Sequence, residues 1–277
     1  MKFTSSFILL FIILLSSCAR KEAIKIDGST TVLPVVAQAS EAYKIDHPDL
    51  TIIVNAGGSG VGVNQIGEEK IHIGMSSRDI TETEIEKYPN VKFNTITIGK
   101  DAVVPVVSSE IYNSGVTALT LEQIAKIYKG DIKNWNEVGG PDSEILCIDK
   151  EKSRGTRHVF MKTVMGNKEA DAPGADLVLG SNNEEQTALV QSDAAIGMLS
   201  NAWINEDVVG LSIIFPDGSI VEPSLKNIIN GNFPITRDLY LIVNGEAQGA
   251  TKDFIDFILS PEGQKIVIDE GYVSINQ

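Results

Sequence analysis

Residues 50–67 read LTIIVNAGGSGVGVNQIG. Leu50 and the β-branched run Thr51 to Val54 predict a strand, and Gly62 to Gly67 predicts the helix that follows. Between them stand Gly57, Gly58, Ser59 and Gly60, a loop with little side-chain cover. Glycine admits positive φ and lets main-chain N–H groups approach a ligand, so a loop of this kind suits an anion held at a helix start. A flexible surface turn has the same composition, and this stretch by itself leaves both readings open.

Two other stretches repeat the arrangement. In DGSTTVLP (27–34), Ser29, Thr30 and Thr31 lie between a strand and the helix begun by Val32 and Pro34. Their hydroxyls are either simple N-caps or, with the free first-turn N–H groups and the helix dipole, part of an anion seat. In DKEKSRGTRHVF (149–160), Ser153, Gly155 and Thr156 precede a helix, and Lys150, Lys152, Arg154 and Arg157 crowd around them. A solvated basic stretch is the plain alternative, but Ser and Thr framing a glycine at a helix start serve solubility poorly. A fourth stretch, IHIGMSSRDI (71–80), ends a strand at Met75 with Ser76, Ser77, Arg78 and Asp79. Arg78 either clamps an oxyanion through its planar fork of donors or pairs with Asp79 or Glu82.

These loops sit in an alternation of short strands and amphipathic helices, which predicts an α/β architecture. Strands are expected over 23–26, 50–54, 72–75, 93–98, 102–107, 145–148, 195–198, 209–214 and 239–243. Helices are expected over 32–45, 62–67, 81–87, 121–128, 155–165, 183–192, 224–229, 250–259 and 261–270. The last two are separated by Ser260, with Pro261 restarting the helix.

The N-terminus reads as a leader. Lys2 is followed by the apolar run Phe7 to Leu15, too short for a permanent membrane span, and then by Ser16, Ser17 and Cys18. Leu15 three positions before Cys18 resembles the lipobox of bacterial lipoproteins, which implies removal of 1–17, lipidation of Cys18 and a short tether over 18–23. An ordinary secretory signal with an incidental cysteine is the alternative. Cys147 is then without an internal disulfide partner and reads as a buried core thiol.

The formal charge of −14 argues against nucleic acid, whose binding requires a basic face. It also means that an anionic ligand must be held by local donors. A phosphoryl-transfer enzyme would need a metal cluster or an activated nucleophile. His47, His72 and His158 are not in a metal-ligand spacing, and no glycine loop carries the lysine and Ser/Thr of a nucleotide-binding P-loop. The expectation is therefore no catalysis, no metal and no cofactor. Glu82 to Glu86 reads as a solvated helix face, Asn182 to Gln186 as the same or as a cap near the site, and Trp135 and Trp203 as packing residues. For Ser200 and Asn201 the sequence does not decide between cleft and surface.

GSTTVLP (28–34), AGGSGVG (56–62), IGMSSR (73–78), IYKGDIKNWNEVGG (127–140), RGTRHVF (154–160) and SPEGQKIVIDEGYVSI (260–275) run in one order over nearly the whole chain. Together they resemble the phosphate-binding proteins of bacterial phosphate ABC importers, which are periplasmic binding proteins of type II. The resemblance implies two α/β lobes with the ligand cleft between them, lobe I from 24–100 and 239–277, lobe II from 101–238, and crossovers near 99–103 and 235–239. It implies capture of a phosphate ion by lobe closure, docking on the importer's membrane permease subunits, and a lipid-anchored monomer on the periplasmic or extracellular side of a bacterial membrane.

By position, the ligand residues implied are Ser29, Thr30, Thr31, Gly58, Ser59, Gly60, Gly155 and Thr156, with Ser77, Arg78, Ser153 and Arg154 added from the neighbouring motifs. Lys150, Arg154, Arg157 and Arg78 compete for the role of cation. Some family members carry, where this chain has Ser77, an aspartate that accepts the proton of a protonated phosphate. Here Asp79 or a hydroxyl is left for that role. Another tetrahedral oxyanion such as sulfate, or an adhesive surface lipoprotein, are the competing functions.

Overall fold

The computed structural model describes residues 23–276; the leader over 1–17 and Cys18 lie outside them. The chain opens with β1 (Ala23–Gly28), α1 (Leu33–Asp46), β2 (Thr51–Ala56), α2 (Ser59–Gly67) and β3 (Ile73–Ser76). β1 pairs in parallel with both β2 and β3, so the loops after these three strands leave from the same sheet edge. α2 begins at Ser59, three residues earlier than the glycine pattern predicts, which puts Ser59 and Gly60 in its first turn. Gly58 makes this start possible with φ of 91°, in the left-handed region. α3 (Glu82–Lys87) starts from a capping box formed by Thr81 and Glu84.

β4 (Phe93–Ser108) is one continuous strand where the sequence predicts two. Gly99 to Asp101, between the two expected strands, stay extended because the first half of β4 pairs with one strand and the second half with others. The chain continues through α4 (Ser109–Asn113), β5 (Ala118–Thr120), α5 (Leu121–Lys129), β6 (Leu146–Lys150), α6 (Gly155–Val164), β7 (Leu177–Leu179), α7 (Asn182–Val190) and β8 (Ala195–Ser200). There follow β9 (Val208–Gly210), β10 (Ser212–Ile214), β11 (Ile220–Val221) and α8 (Leu225–Ile229). The expected strand over 209–214 divides because Leu211 N–H donates to Pro105 O and the chain then leaves β4 to pair with β5. β12 (Thr236–Asn244), α9 (Gly249–Leu259) and α10 (Pro261–Asp269) complete the fold, with Ser260 ending one helix and capping the next.

The main sheet runs β2-β1-β3-β12-β4-β8-β6-β7, with β9 also paired to β4. Two large cores lie along it, beside a small cluster of Val63, Ile66 and Ile242. One gathers Ile26, Val36, Met75, Leu241 and Phe254; the other gathers Val104, Val106, Trp135, Phe160, Met198 and the buried Cys147, whose thiol burial pushes up. β4 runs through both, and β12 lies against its midpoint, where Arg237 is the cross-strand partner of Asp101. The result is a two-lobed α/β molecule whose loops meet at the waist. Among the described residues no helix is long and apolar enough to cross a membrane.

Candidate functional site

Gly28 lets β1 end flat against β3: at φ of 139° it has no Cβ, and one added there would run into Met75 O. Ser29 then donates its N–H to Met75 O at 2.9 Å. Its Oγ accepts from Thr31 N at 3.2 Å and Val32 N at 3.4 Å, which turns the chain into α1. Gly57 and Gly58 both donate to Gly28 O, at 2.9 and 2.7 Å, folding the second loop back over the first. Ser59 Oγ accepts from Ser77 N at 3.0 Å.

The hydroxyls so placed form two hydrogen-bonded sets that Arg237 joins into one network. Ser29 Oγ donates to Ser77 Oγ at 3.0 Å, Ser59 Oγ lies 3.3 Å from Ser77 Oγ, and Thr31 Oγ1 lies 3.4 Å from Thr156 Oγ1. All five residues are at most 4% exposed. Thr156 comes from the other lobe, carried there by α6, and Gly60 N–H crosses the same boundary to Ser153 O at 3.1 Å. Gly155 permits this approach. A Cβ on it would run into the Ser59 hydroxyl and come within 2.5 Å of Ser77 Oγ.

Helix ends supply the second feature. α3, α5 and α7 each start from a complete capping box, whereas α2 and α6 have no side-chain cap. The first-turn N–H groups of a helix lack intrahelical partners and carry the positive end of its dipole. Two such ends therefore meet at the hydroxyl network, a donor-rich arrangement suited to a buried anion.

The cations that compete in the sequence are each bound to a carboxylate, although Arg154 lies against Gly58 and Arg78 beside Gly60. Arg78 forms a fork on Glu84 at 2.9 and 2.7 Å and donates to Asp79 O at 2.8 Å; the clamp expected of it is taken up by the carboxylate that closes the α3 capping box. Arg154 is bound twice to Glu151, at 2.8 and 2.6 Å, and Arg157 to Asp149 at 3.0 Å. Lys150 forms a fully buried ion pair with Glu185, burial pushing the lysine down and the glutamate up. Thr30 is buried in the turn before α1, but its hydroxyl makes no bond to the network among the described residues. Ser153 takes part through its carbonyl, and Gly58 and Gly60 use their N–H groups on Gly28 O and Ser153 O. Asp79 accepts from Tyr240 Oη at 3.0 Å.

Two residues outside the expected ligand set reach the network: Arg237, which no motif marks, and Asn182, whose stretch the sequence offers as a cap near the site. Arg237 Nη1 donates to Ser77 Oγ at 3.2 Å and to Thr156 Oγ1 at 3.1 Å, and Nη2 donates to Thr31 Oγ1 at 3.2 Å. Its Nε and Nη2 hold Asp101 Oδ2, while Ser200 Oγ donates to Asp101 Oδ1 at 2.9 Å. Burial pushes the Asp101 carboxyl up, against the pull of Arg237 and Ser200. Asn182 Nδ2 donates to Thr31 Oγ1 at 3.2 Å. Each crossover segment carries two charges, Lys100 and Asp101 in one and Arg237 and Asp238 in the other, and only the strand pairing brings Asp101 and Arg237 together in the interior, where buried charges are paired.

Comparison with known proteins places this geometry. Residues 16–262 match the PBP superfamily domain. Phosphate-binding protein PstS of Bacillus subtilis (strain 168) is 33% identical over 255 residues, 91% of this chain and 81% of that protein. The chain belongs to the family of phosphate-binding proteins. Phosphate-binding protein PstS of Borreliella burgdorferi is 31% identical over 275 residues, 95% of this chain and 94% of that one. A Clostridium perfringens crystal structure, described as a candidate substrate-binding protein of a phosphate ABC transporter with bound phosphate, superposes with a TM-score of 0.81 at 32% identity, covering 92% of this chain and 100% of that one. An ABC-type phosphate transport receptor from Vibrio cholerae gives 0.71 at 31%, over 90% and 99%. The family's two-lobed architecture matches the two cores and the waist described above.

Proposed function

We propose that this protein binds inorganic phosphate between its lobes and delivers it to the membrane permease subunits of an ABC importer. The observation that carries the reading is the convergence, at one buried point, of five hydroxyls from both lobes with the uncapped starts of α2 and α6. A dehydrated dianion needs many donors, and each charge-assisted hydrogen bond contributes roughly 1.5–3 kcal/mol net. Neutral donors of this kind serve in a protein of net charge −14, where a broad basic surface is absent from the composition. The site residues proposed are Ser29, Thr31, Ser59, Ser77, Gly155 and Thr156, with first-turn N–H groups of α2 and α6.

Lobe I comprises 24–100 and 239–277 and lobe II 101–238 in this reading, supported by the division of the two cores. The protein acts as a monomer and a binding protein and not as an enzyme. It is held through a lipid on Cys18 at the periplasmic or extracellular side of the membrane, on the strength of the leader pattern.

Calorimetric titration of the lipid-free protein with phosphate, sulfate, arsenate and molybdate tests the reading. Phosphate is expected to bind tightly, with little dependence on ionic strength because a buried ion is poorly screened. Sulfate binding without phosphate binding would overturn it, and so would a steep salt dependence. Ser77, a hydroxyl that both donates and accepts, is the group through which sulfate would compete.

A further inference from the structure

The five cations of the third and fourth motifs each end on a carboxylate and none bonds to the hydroxyl network: Arg78 on Glu84, Lys150 on Glu185, Lys152 on Asp171, Arg154 on Glu151 and Arg157 on Asp149. Arg237 differs in three respects. Asp101 takes Nε and one edge of Nη2, so Nη1 and the other edge of Nη2 face the network. The pair is 3% and 0% exposed, and Ser200 of β8 fixes the second carboxylate oxygen. Finally, Arg237 and Asp101 are direct cross-strand partners in β12 and β4, the strands that carry the chain between lobes.

This placement gives one guanidinium contacts to both lobes at once: Thr31 and Ser77 on one side and Thr156 on the other. A planar fork can do so while still holding a carboxylate; an ammonium, a point charge, cannot. Asp101 also neutralises Arg237, so the site carries no unpaired buried cation before an anion arrives. We propose that Arg237, held in place by Asp101, is the charged contact of the bound anion and couples its capture to closure of the lobes. The inference rests on the phosphate reading. Because Arg237 sits on the crossover, the anion it holds meets hydroxyls from each lobe only when both have swung in.

The test uses the whole lipid-free protein with inorganic phosphate, read by calorimetry, thermal melting and small-angle scattering. The double variant Asp101→Asn/Arg237→Gln removes both charges together, which avoids stranding one of them. It is expected to melt near the wild type, to lose affinity by about 100-fold or more, and to lose the melting shift that phosphate gives the wild type. Arg237→Lys, which keeps the charge but not the fork, is expected to lose about tenfold or more and to show a smaller phosphate-induced compaction at saturation. Arg154→Gln is expected to stay within about threefold, as a carboxylate-bound cation outside the network should. Wild-type affinity in a folded double variant, or in Arg237→Lys, would overturn the proposal while leaving phosphate binding intact. Should the double variant fail to fold, Arg237→Lys alone decides. Absence of phosphate binding by the wild type would overturn the underlying reading, and that result needs no variant.

Discussion

Replacing Gly155 by alanine separates folding from ligand capture. Gly155 opens α6 and is not among the glycines with positive φ, so alanine suits its backbone and favours the helix by about 0.5–1 kcal/mol. The methyl group meets its obstacle across the cleft, where it would run into the Ser59 hydroxyl and lie 2.5 Å from Ser77 Oγ; ordinary contact begins at 3.4 Å, so the lobes must part by about 1 Å. A shift of that size stretches Thr31 to Thr156 at 3.4 Å, Arg237 to Thr156 at 3.1 Å and Gly60 N–H to Ser153 O at 3.1 Å beyond bonding range. If two donors to the bound anion are lost, at roughly 1.5–3 kcal/mol each, the cost is about 3–6 kcal/mol, or about 10²- to 10⁴-fold in Kd. Phosphate calorimetry on Gly155→Ala measures this, with a melt of the ligand-free protein as control. The melt should stay close to the wild type, because water takes over the separated donors once the lobes part and the helix gains slightly from alanine. Affinity within threefold of the wild type would refute the claim that the lobes close to hydrogen-bond contact at this glycine.

Lys150→Met should destabilise the fold by about 3–5 kcal/mol, because it leaves Glu185 charged and alone in a fully buried place, and Lys150→Met/Glu185→Leu should recover most of the loss. Urea unfolding reads both, and an unchanged midpoint in the single variant would refute the buried pairing. Burial, followed by repulsion from Arg78, depresses His158 to about 4, despite Glu169 at 3.0 Å. The folded state thus holds the neutral ring, so its contribution to stability is complete above the ordinary value of 6.5 and is lost as pH falls from there toward 4. The melting temperature should drop over that window, and His158→Gln should remove part of the slope; an unchanged slope would refute the assignment.

Local patterns carry local structure. Strand, polar-glycine loop and helix at 27–34, 54–62 and 149–160 are legible because each is encoded within about ten residues by turn chemistry and hydrophobic periodicity. Even there, the start of α2 is shifted, since a glycine-rich first turn has no propensity signal and is set by Gly57 and Gly58, which donate to Gly28 O just before it. β4 reads as two strands with Gly99 to Asp101 between them, while pairing to β12 on one half and β8 on the other keeps it extended.

The sequence by itself determined the α/β class, the presence of Ser/Thr loops at helix starts, and a negative overall charge that leaves an anion to be held by local donors. Only the tertiary structure decided which cation faces those loops. Arg237 meets Asp101 across 136 positions and Ser77 across 160, whereas Arg78 finds Glu84 six residues away and Arg154 finds Glu151 three away. The four crowded cations look alike in a string of letters, and each is neutralised by a carboxylate beside it in space. The guanidinium that reaches the network lies on a crossover strand. Its partners are brought together by the pairing of β4 with β12, a long-range contact that no local pattern encodes.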